Sequence, residues 1–205
     1  MVQTAAGLLT FEAFLSQYGD NDRYELIDGE LIEMEPTGPH EKVAAFLGRK
    51  LNVQIDRQDL PYFIPFRCLI KPLAPGTGFR PDVIVLDERA LANEPLWASE
   101  PVITLGSSIK LVVEVVSTNW QNDYARKVED YSAIGIPEYW IVDYLGLGGR
   151  DYIGDPKQPL VAVYTLDATG NHYQKPIQLR GSDRIASLCF PDLELSAAQV
   201  LGAGK

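Results

Sequence analysis

The chain has 205 residues, 46% of them apolar, and a formal net charge of −10. That length can bury a core without covalent staples, and it predicts one domain over residues 1–205. The acidic balance excludes a broad phosphate-tracking surface, which needs many free Lys and Arg. It leaves room for a local basic groove, and it fits a site that gathers carboxylates around a hard cation. No apolar run approaches the length of a membrane helix. Met1 to Leu15 lacks a basic segment followed by an apolar one, so no signal peptide is expected. A cytoplasmic protein without a membrane partner follows as the expectation. Cys68 and Cys189 are isolated and read as buried free thiols. With two His and two Cys in the chain, zinc is not expected.

In chain order, Thr10 is placed to cap a short helix with Phe11, Phe14, Leu15 and Tyr18 on its apolar face. Gly19-Asp20-Asn21 ends it. Tyr24–Ile27 and Glu30–Met34 flank Asp28-Gly29, which predicts a hairpin with a type I′ turn. A helix is expected from His40 to Ile55, with Val43, Phe46, Leu47, Leu51 and Ile55 inward. Leu60 to Lys71 reads as extended, and Pro61 and Pro65 push it to a sheet edge. Phe79 to Asp87 is the second clear strand. Glu88 to Ser108 is a long connection with a helical turn near Leu91. Asp123 to Gly135 is a helix ended by its glycine. Glu138 to Asp143 is a further, buried strand. Leu160–Leu166 and His172–Leu179 flank a turn and form a second hairpin, and a last helix starts at Ser196.

The most informative stretch is Leu111-Val112-Val113-Glu114-Val115-Val116-Ser117. Alternation puts Leu111, Val113 and Val115 on one face, and Val112, Glu114 and Val116 on the other. Both faces are apolar, so this strand is central and covered on both sides. Glu114 is then interior, where a carboxylate must be protonated, paired or bound to a metal. The order strand, helix, strand through Val112, Val128 and Ile141 is a βαβ unit. With a hairpin at each end, the class is α/β bordering on α+β, with a mixed central sheet flanked by helices.

Lys127 adds to this. On a helical wheel with Tyr124 at zero, Val128, Tyr131 and Ile134 fall at about 40°, 340° and 280°, and Lys127 at about 300°. Lys127 lies inside the apolar arc and aims at the sheet, whereas Arg126, Glu129 and Ala133 face solvent. Asp82 and Glu114 from two strands, with a lysine from the covering helix, form a set suited to metal-dependent phosphodiester hydrolysis. Two carboxylates hold Mg²⁺, which keeps several waters. Such a metal polarises a phosphoryl group. A lysine positions or deprotonates the attacking water and stabilises developing charge.

Pro81-Asp82 followed by Glu114-Val115-Val116 resembles the PD-(D/E)xK motif of restriction-endonuclease-like nucleases, with Val116 where the motif has lysine. Nearly the whole chain is similar to the Uma-type family of restriction endonucleases. The likeness runs through Tyr24–Leu31, His40, Arg80–Val83, Leu111–Ser117, Asp123, Lys127, Tyr131 and Gly135–Asp143. It implies a restriction-endonuclease-like core, DNA as the partner, Mg²⁺ with Mn²⁺ as a substitute, and the catalytic lysine on the helix at Lys127. By analogy it also implies a homodimer.

Each accessory residue also has a structural reading. Glu25 is first an exposed hairpin charge and second an added metal ligand. His40 is first a loop or cap residue, and second a base or a substrate contact. Asp123, one turn before Lys127, first holds it by a salt bridge and second serves as a ligand. Tyr131 belongs to the core, with a hydroxyl in reach of the site. Arg67, Lys71 and Arg80, with Lys42, Arg49 and Lys50, are either a phosphate-attracting side or scattered solvated charge. Trp97 and Trp120 pack under loops or stack on bases. Beside the nuclease stands an inactive nuclease-like scaffold, a dimeric module that binds protein or nucleic acid. Hydrolysis of a small phosphodiester is a third reading.

Overall fold

The computed structural model describes residues 7–205. Residues 1–6, part of the segment where no signal peptide is expected, lie outside that range. Helix α1 (Phe11–Tyr18) begins at Thr10, whose hydroxyl accepts the Ala13 N–H at 3.1 Å. Strands β1 (Tyr24–Ile27) and β2 (Glu30–Glu33) make the expected hairpin. Asp28 and Gly29 both have positive φ, 52° and 84°, as a type I′ turn requires. Helix α2 (Gly38–Gln58) starts earlier than the apolar pattern indicated. Thr37 caps it and a proline stands in its first turn, where the missing N–H costs nothing. His40 therefore sits inside the helix, which corrects its reading as a loop or cap residue.

Strands β3 (Tyr62–Phe63), β4 (Leu69–Ile70), β5 (Val83–Asp87) and β6 (Val102–Ile103) follow. A 3₁₀ turn at Leu91–Asn93 lies where a helical turn was expected. Strand β7 (Ile109–Val115) is the central strand, and β8 (Glu138–Asp143) matches its predicted bounds. Between them run a π-helical turn at Asn122–Arg126 and helix α3 (Lys127–Ala133). A short helix α4 (Arg150–Ile153), strands β9 (Leu160–Thr165) and β10 (Ile177–Leu179), and helix α5 (Ala197–Gly202) complete the chain. Ser196 and Gln199 form a capping box on α5.

The main sheet has the order β10-β9-β8-β7-β5-β3. Only β7 and β8 pair in parallel, joined by α3 as a βαβ crossover; every other neighbour is antiparallel. The sheet is thus mixed, with helices on both faces. Leu111, Val113 and Val115 pack with Val43, Leu47, Leu51 and Val200 from α2 and α5. Val112 and Val116 pack on the opposite face with Tyr124 and Tyr131. The alternation read from the sequence is the alternation observed. Strand β3 is at an edge, as its prolines required. The parallel pair β4 and β6 forms a separate small sheet that the sequence did not announce, because two-residue strands carry no periodic signal.

No helix among the described residues is long and apolar enough to cross a membrane. Both cysteines are free; Cys68 is buried and Cys189 half-buried. Trp97 packs edge-on against Phe63, and Trp120 against Tyr124 and Tyr152, so both tryptophans serve to pack loops.

Candidate active site

Glu114 points from β7 toward α3, on the face it shares with Val112 and Val116. It is 2% exposed. Its Oε1 accepts the Tyr131 hydroxyl at 2.7 Å and its Oε2 lies 3.1 Å from Lys127 Nζ. Each of its oxygens thus has a partner, one a hydroxyl and the other an amine. Lys127 is likewise buried, as its place in the apolar arc predicted.

The turn before α3 is wider than an α-helix. The Lys127 N–H reaches back five residues to the Asn122 carbonyl, and the Tyr139 hydroxyl donates to the Asp123 carbonyl at 3.0 Å. A partner outside the helix thus supports the widened turn. Asp123 Oδ1 lies 3.3 Å from Lys127 Nζ, so the expected salt bridge is present. Arg126 is not merely solvated. It forms a bidentate pair with Asp28 at 2.7 and 2.8 Å and bonds Asp130 at 2.7 Å. This clamps the β1–β2 hairpin to the head of α3.

The clamp explains Glu25, whose first reading as an exposed charge is wrong. It is 4% exposed, accepts the Arg80 N–H at 2.7 Å, and lies 3.4 Å from Lys127 Nζ. Leu26 bonds Gly78 in both directions, laying the hairpin along the approach to Asp82. The buried Arg80 guanidinium donates to the Tyr18, Gly19 and Tyr24 carbonyls and locks that approach to α1 and β1. An isolated Tyr-Glu-Leu-Ile strand gives no sign of this, because only docking buries one of its faces.

Asp82 immediately precedes β5. Its Oδ2 accepts the Val115 N–H at 2.6 Å and lies 3.4 Å from His40 Nε2. His40 Nε2 is also 2.8 Å from the Val115 carbonyl, to which it donates, while its Nδ1 is buried without a hydrogen-bond partner. Burial opposes charge on His40, but the Asp82 carboxylate and the Val115 carbonyl outweigh it and hold its pKa above the usual imidazole value.

The groups meet along one cleft of about 610 Å³, lined by Asp82, Glu114, Lys127, Glu25, His40 and Asp123 among others. Tyr131 stands behind Glu114. Negative charge exceeds positive here. Burial opposes charge on Lys127, yet Glu114, Glu25 and Asp123 hold its pKa well above the usual value, so the amine stays protonated. Burial pushes Glu114 well above the carboxylate range; Lys127 opposes this, and Asp82, Asp123 and Glu25 add to it. Asp123 is pushed up to about 6, first by burial, against the pull of Lys127, and further by Asp82 and Glu25.

Among the described residues no three metal-ligating side chains form a ready-made cage. Mg²⁺ does not need one, since it binds through one or two carboxylates and keeps its waters. Four carboxylates, Asp82, Glu114, Glu25 and Asp123, share this cleft with one lysine, and such an excess of oxygen donors is a set that a hard cation relieves. The residues therefore fit Mg²⁺ or Mn²⁺.

The phosphate-attracting side is not found. Arg67 pairs with Asp20 and Asp22, Lys71 with Glu12, and Arg80 with Asp22 and backbone carbonyls. Lys42 donates to the Lys205 carbonyl, and Arg49 and Lys50 lie over Phe46.

Asp123 gives a pH prediction. Its folded pKa of about 6 exceeds the unfolded value near 3.8, so folding takes up a proton between the two. The cost of burying its charge is absent below about pH 4 and complete above about pH 6. Asp123→Asn is expected to match the wild type near pH 4 and to become the more stable of the two as pH rises past 6. Urea unfolding across this range measures the gap, and a gap that does not change with pH would contradict it.

The chain is similar to the crystal structure of a "putative nuclease belonging to DUF820" from Anabaena variabilis, with a TM-score of 0.69 and 16% identity. The alignment covers 96% of this chain and 99% of that one, and at this identity it shows a shared fold. No curated protein matches. The family model described as "Uma2: Putative restriction endonuclease" matches residues 11–198. From the match over nearly its full length, this chain belongs to the Uma2 family.

Proposed function

We propose that this chain is a metal-dependent nuclease that hydrolyses phosphodiester bonds of DNA, built as a single restriction-endonuclease-like domain over residues 1–205. The observation that carries the reading is a buried, protonated Lys127 held 3.1 Å from Glu114 in an open cleft that also holds Asp82. Burying an amine among carboxylates is costly and adds little stability, so a role beyond packing accounts for it better. Val116 points into the core under α3, and Lys127 comes from that covering side. An amine thus reaches Glu114 where the motif lysine is missing.

Asp82 and Glu114 are the residues that would hold Mg²⁺, or Mn²⁺ in its place. Bound there, the cation supplies Lewis-acid polarisation of the phosphoryl group. The Val115 N–H and His40 both act on Asp82 Oδ2, which fixes the carboxylate and leaves Oδ1 for a ligand. Tyr131 orients Glu114 in the same way. Lys127, protonated at neutral pH, positions the attacking water and stabilises negative charge on the phosphoryl oxygens; it is not set up as a base. Glu25 and Asp123 keep its amine in the cleft. A homodimer and a cytoplasmic location belong to the same reading.

The test incubates the purified chain with single- and double-stranded DNA in Mg²⁺, in Mn²⁺ and in EDTA, and titrates Mn²⁺ by calorimetry. Cleavage in either metal, none in EDTA, and heat from Mn²⁺ are expected. A stable dimer with neither heat nor cleavage would turn the reading toward the scaffold.

A further inference from the structure

Phe66 stands at the mouth of the cleft with its side chain wholly exposed, at 109% of the reference area. The loop that carries it is tied down on the far side. Arg67 bonds the Asp20 carbonyl and carboxylate at 3.0 and 3.1 Å, and Cys68 is buried. Pro65 restricts the backbone before it. The ring is thus presented by an anchored loop, and Ile32, Met34 and Pro36 give the same cleft an apolar margin.

Charge tells the other half. Eight carboxylates and three cationic side chains line the cleft. All three cations are engaged: Arg67 with Asp20 and Asp22, Arg80 with Asp22 and three carbonyls, and Lys127 with three acids. A protein that tracks a duplex does so by neutralising several phosphates with free Lys and Arg. Among the described residues this cleft offers none.

Resting on the nuclease reading above, we propose that the cleft takes an unpaired stretch of nucleic acid, with one base stacked on Phe66, in preference to a duplex. The acidic wall repels the phosphates of either form, and what separates the two is base–aromatic stacking, worth about 1–3 kcal/mol per base. In a duplex the base faces are covered by neighbouring pairs, and only an unpaired nucleotide offers one.

The experiment measures anisotropy of a fluorescein-labelled DNA oligonucleotide, single-stranded or annealed to its complement, with Ca²⁺ in place of Mg²⁺. The single strand is expected to bind at least about tenfold more tightly than the duplex. Phe66→Ala weakens the single strand by about tenfold and Phe66→Trp restores it. Affinity falls with salt along a slope shallower than about −2 in logarithms, because few phosphates are neutralised. Equal binding of the duplex, or an unchanged Phe66→Ala, overturns the proposal and leaves the nuclease reading standing if metal-dependent cleavage persists. Loss of self-association in Phe66→Ala at unchanged oligonucleotide affinity marks a dimer surface and overturns it too. If neither strand binds and neither is cut, both readings fall.

Discussion

Lys127→Met is expected to destabilise the folded chain by about 3–5 kcal/mol at pH 7 and to lower cleavage at least about a hundredfold. Glu25, Glu114 and Asp123 all lie within 3.4 Å of its amine and have burial of 10% exposure or less. Without the ammonium they repel one another in a region that water does not screen. The chain escapes by protonating them, so the stability loss should shrink as pH falls toward 4. Adding Glu114→Gln to Lys127→Met removes one of the orphaned charges and should recover part of the stability, but no cleavage. Asp82→Ala is the contrast. The Asp82 side chain is 22% exposed, and its loss orphans the Val115 N–H and takes the carboxylate away from His40, so it should cost about 1–3 kcal/mol, less than Lys127→Met, while abolishing both Mn²⁺ heat and cleavage. Urea unfolding, Mn²⁺ calorimetry and cleavage, read on all three variants, separate the roles. A folded Lys127→Met that still cleaves at the wild-type rate would end the claim that this lysine takes part in the chemistry.

Glu138→Ala is expected to cost about 4 kcal/mol without touching metal binding. Glu138 is fully buried at the start of β8, with no cation beside it. Four donors satisfy it instead. Trp140 Nε1 bonds one oxygen at 2.6 Å; the Ser187 hydroxyl and the Leu188 and Cys189 N–H groups bond the other at 2.9–3.0 Å. Truncation orphans all four donors at once, and each unsatisfied buried group costs about 1–3 kcal/mol before relaxation. Glu138→Gln should cost less but not nothing, because its NH₂ faces donors where the carboxylate offered an acceptor. Hydrogen exchange should rise first at Leu188 and Cys189, which the carboxylate pins to the sheet. Loss of Mn²⁺ heat with intact stability would show that Glu138 had been misassigned.

The two glutamates mark how far the sequence could be followed. Glu114 was legible because both faces of its strand are apolar, and an acid in that pattern can only be interior. Lys127 was legible because three apolar neighbours at helical spacing define an arc that includes it. These signals survive without knowledge of the fold, since strand alternation and helical periodicity are local. The likeness to a known family was legible from the same segments.

Glu25 and His40 were placed wrongly for one shared reason. Each sits on an element whose burial comes from a partner distant in sequence. The β1–β2 hairpin is sealed by Arg80 and by the Arg126–Asp28 pair, 98 residues apart. His40 is buried because α2 packs on the face of β7 opposite Glu114, where the Val115 carbonyl meets its ring 75 residues away. The widened turn before α3 is likewise supported from another element, by the Tyr139 hydroxyl.

The amino-acid sequence by itself determined the central strands, the parallel crossover and the convergence of an acid and a lysine on one face of the sheet. Those features follow from periodicity and from the cost of burying charge. Tertiary structure alone decided that three carboxylates crowd around that lysine, that the basic residues lining the cleft are spent on partners nearby, and that Phe66 is left bare. Such outcomes depend on distances between segments far apart in the chain, and no local pattern encodes them.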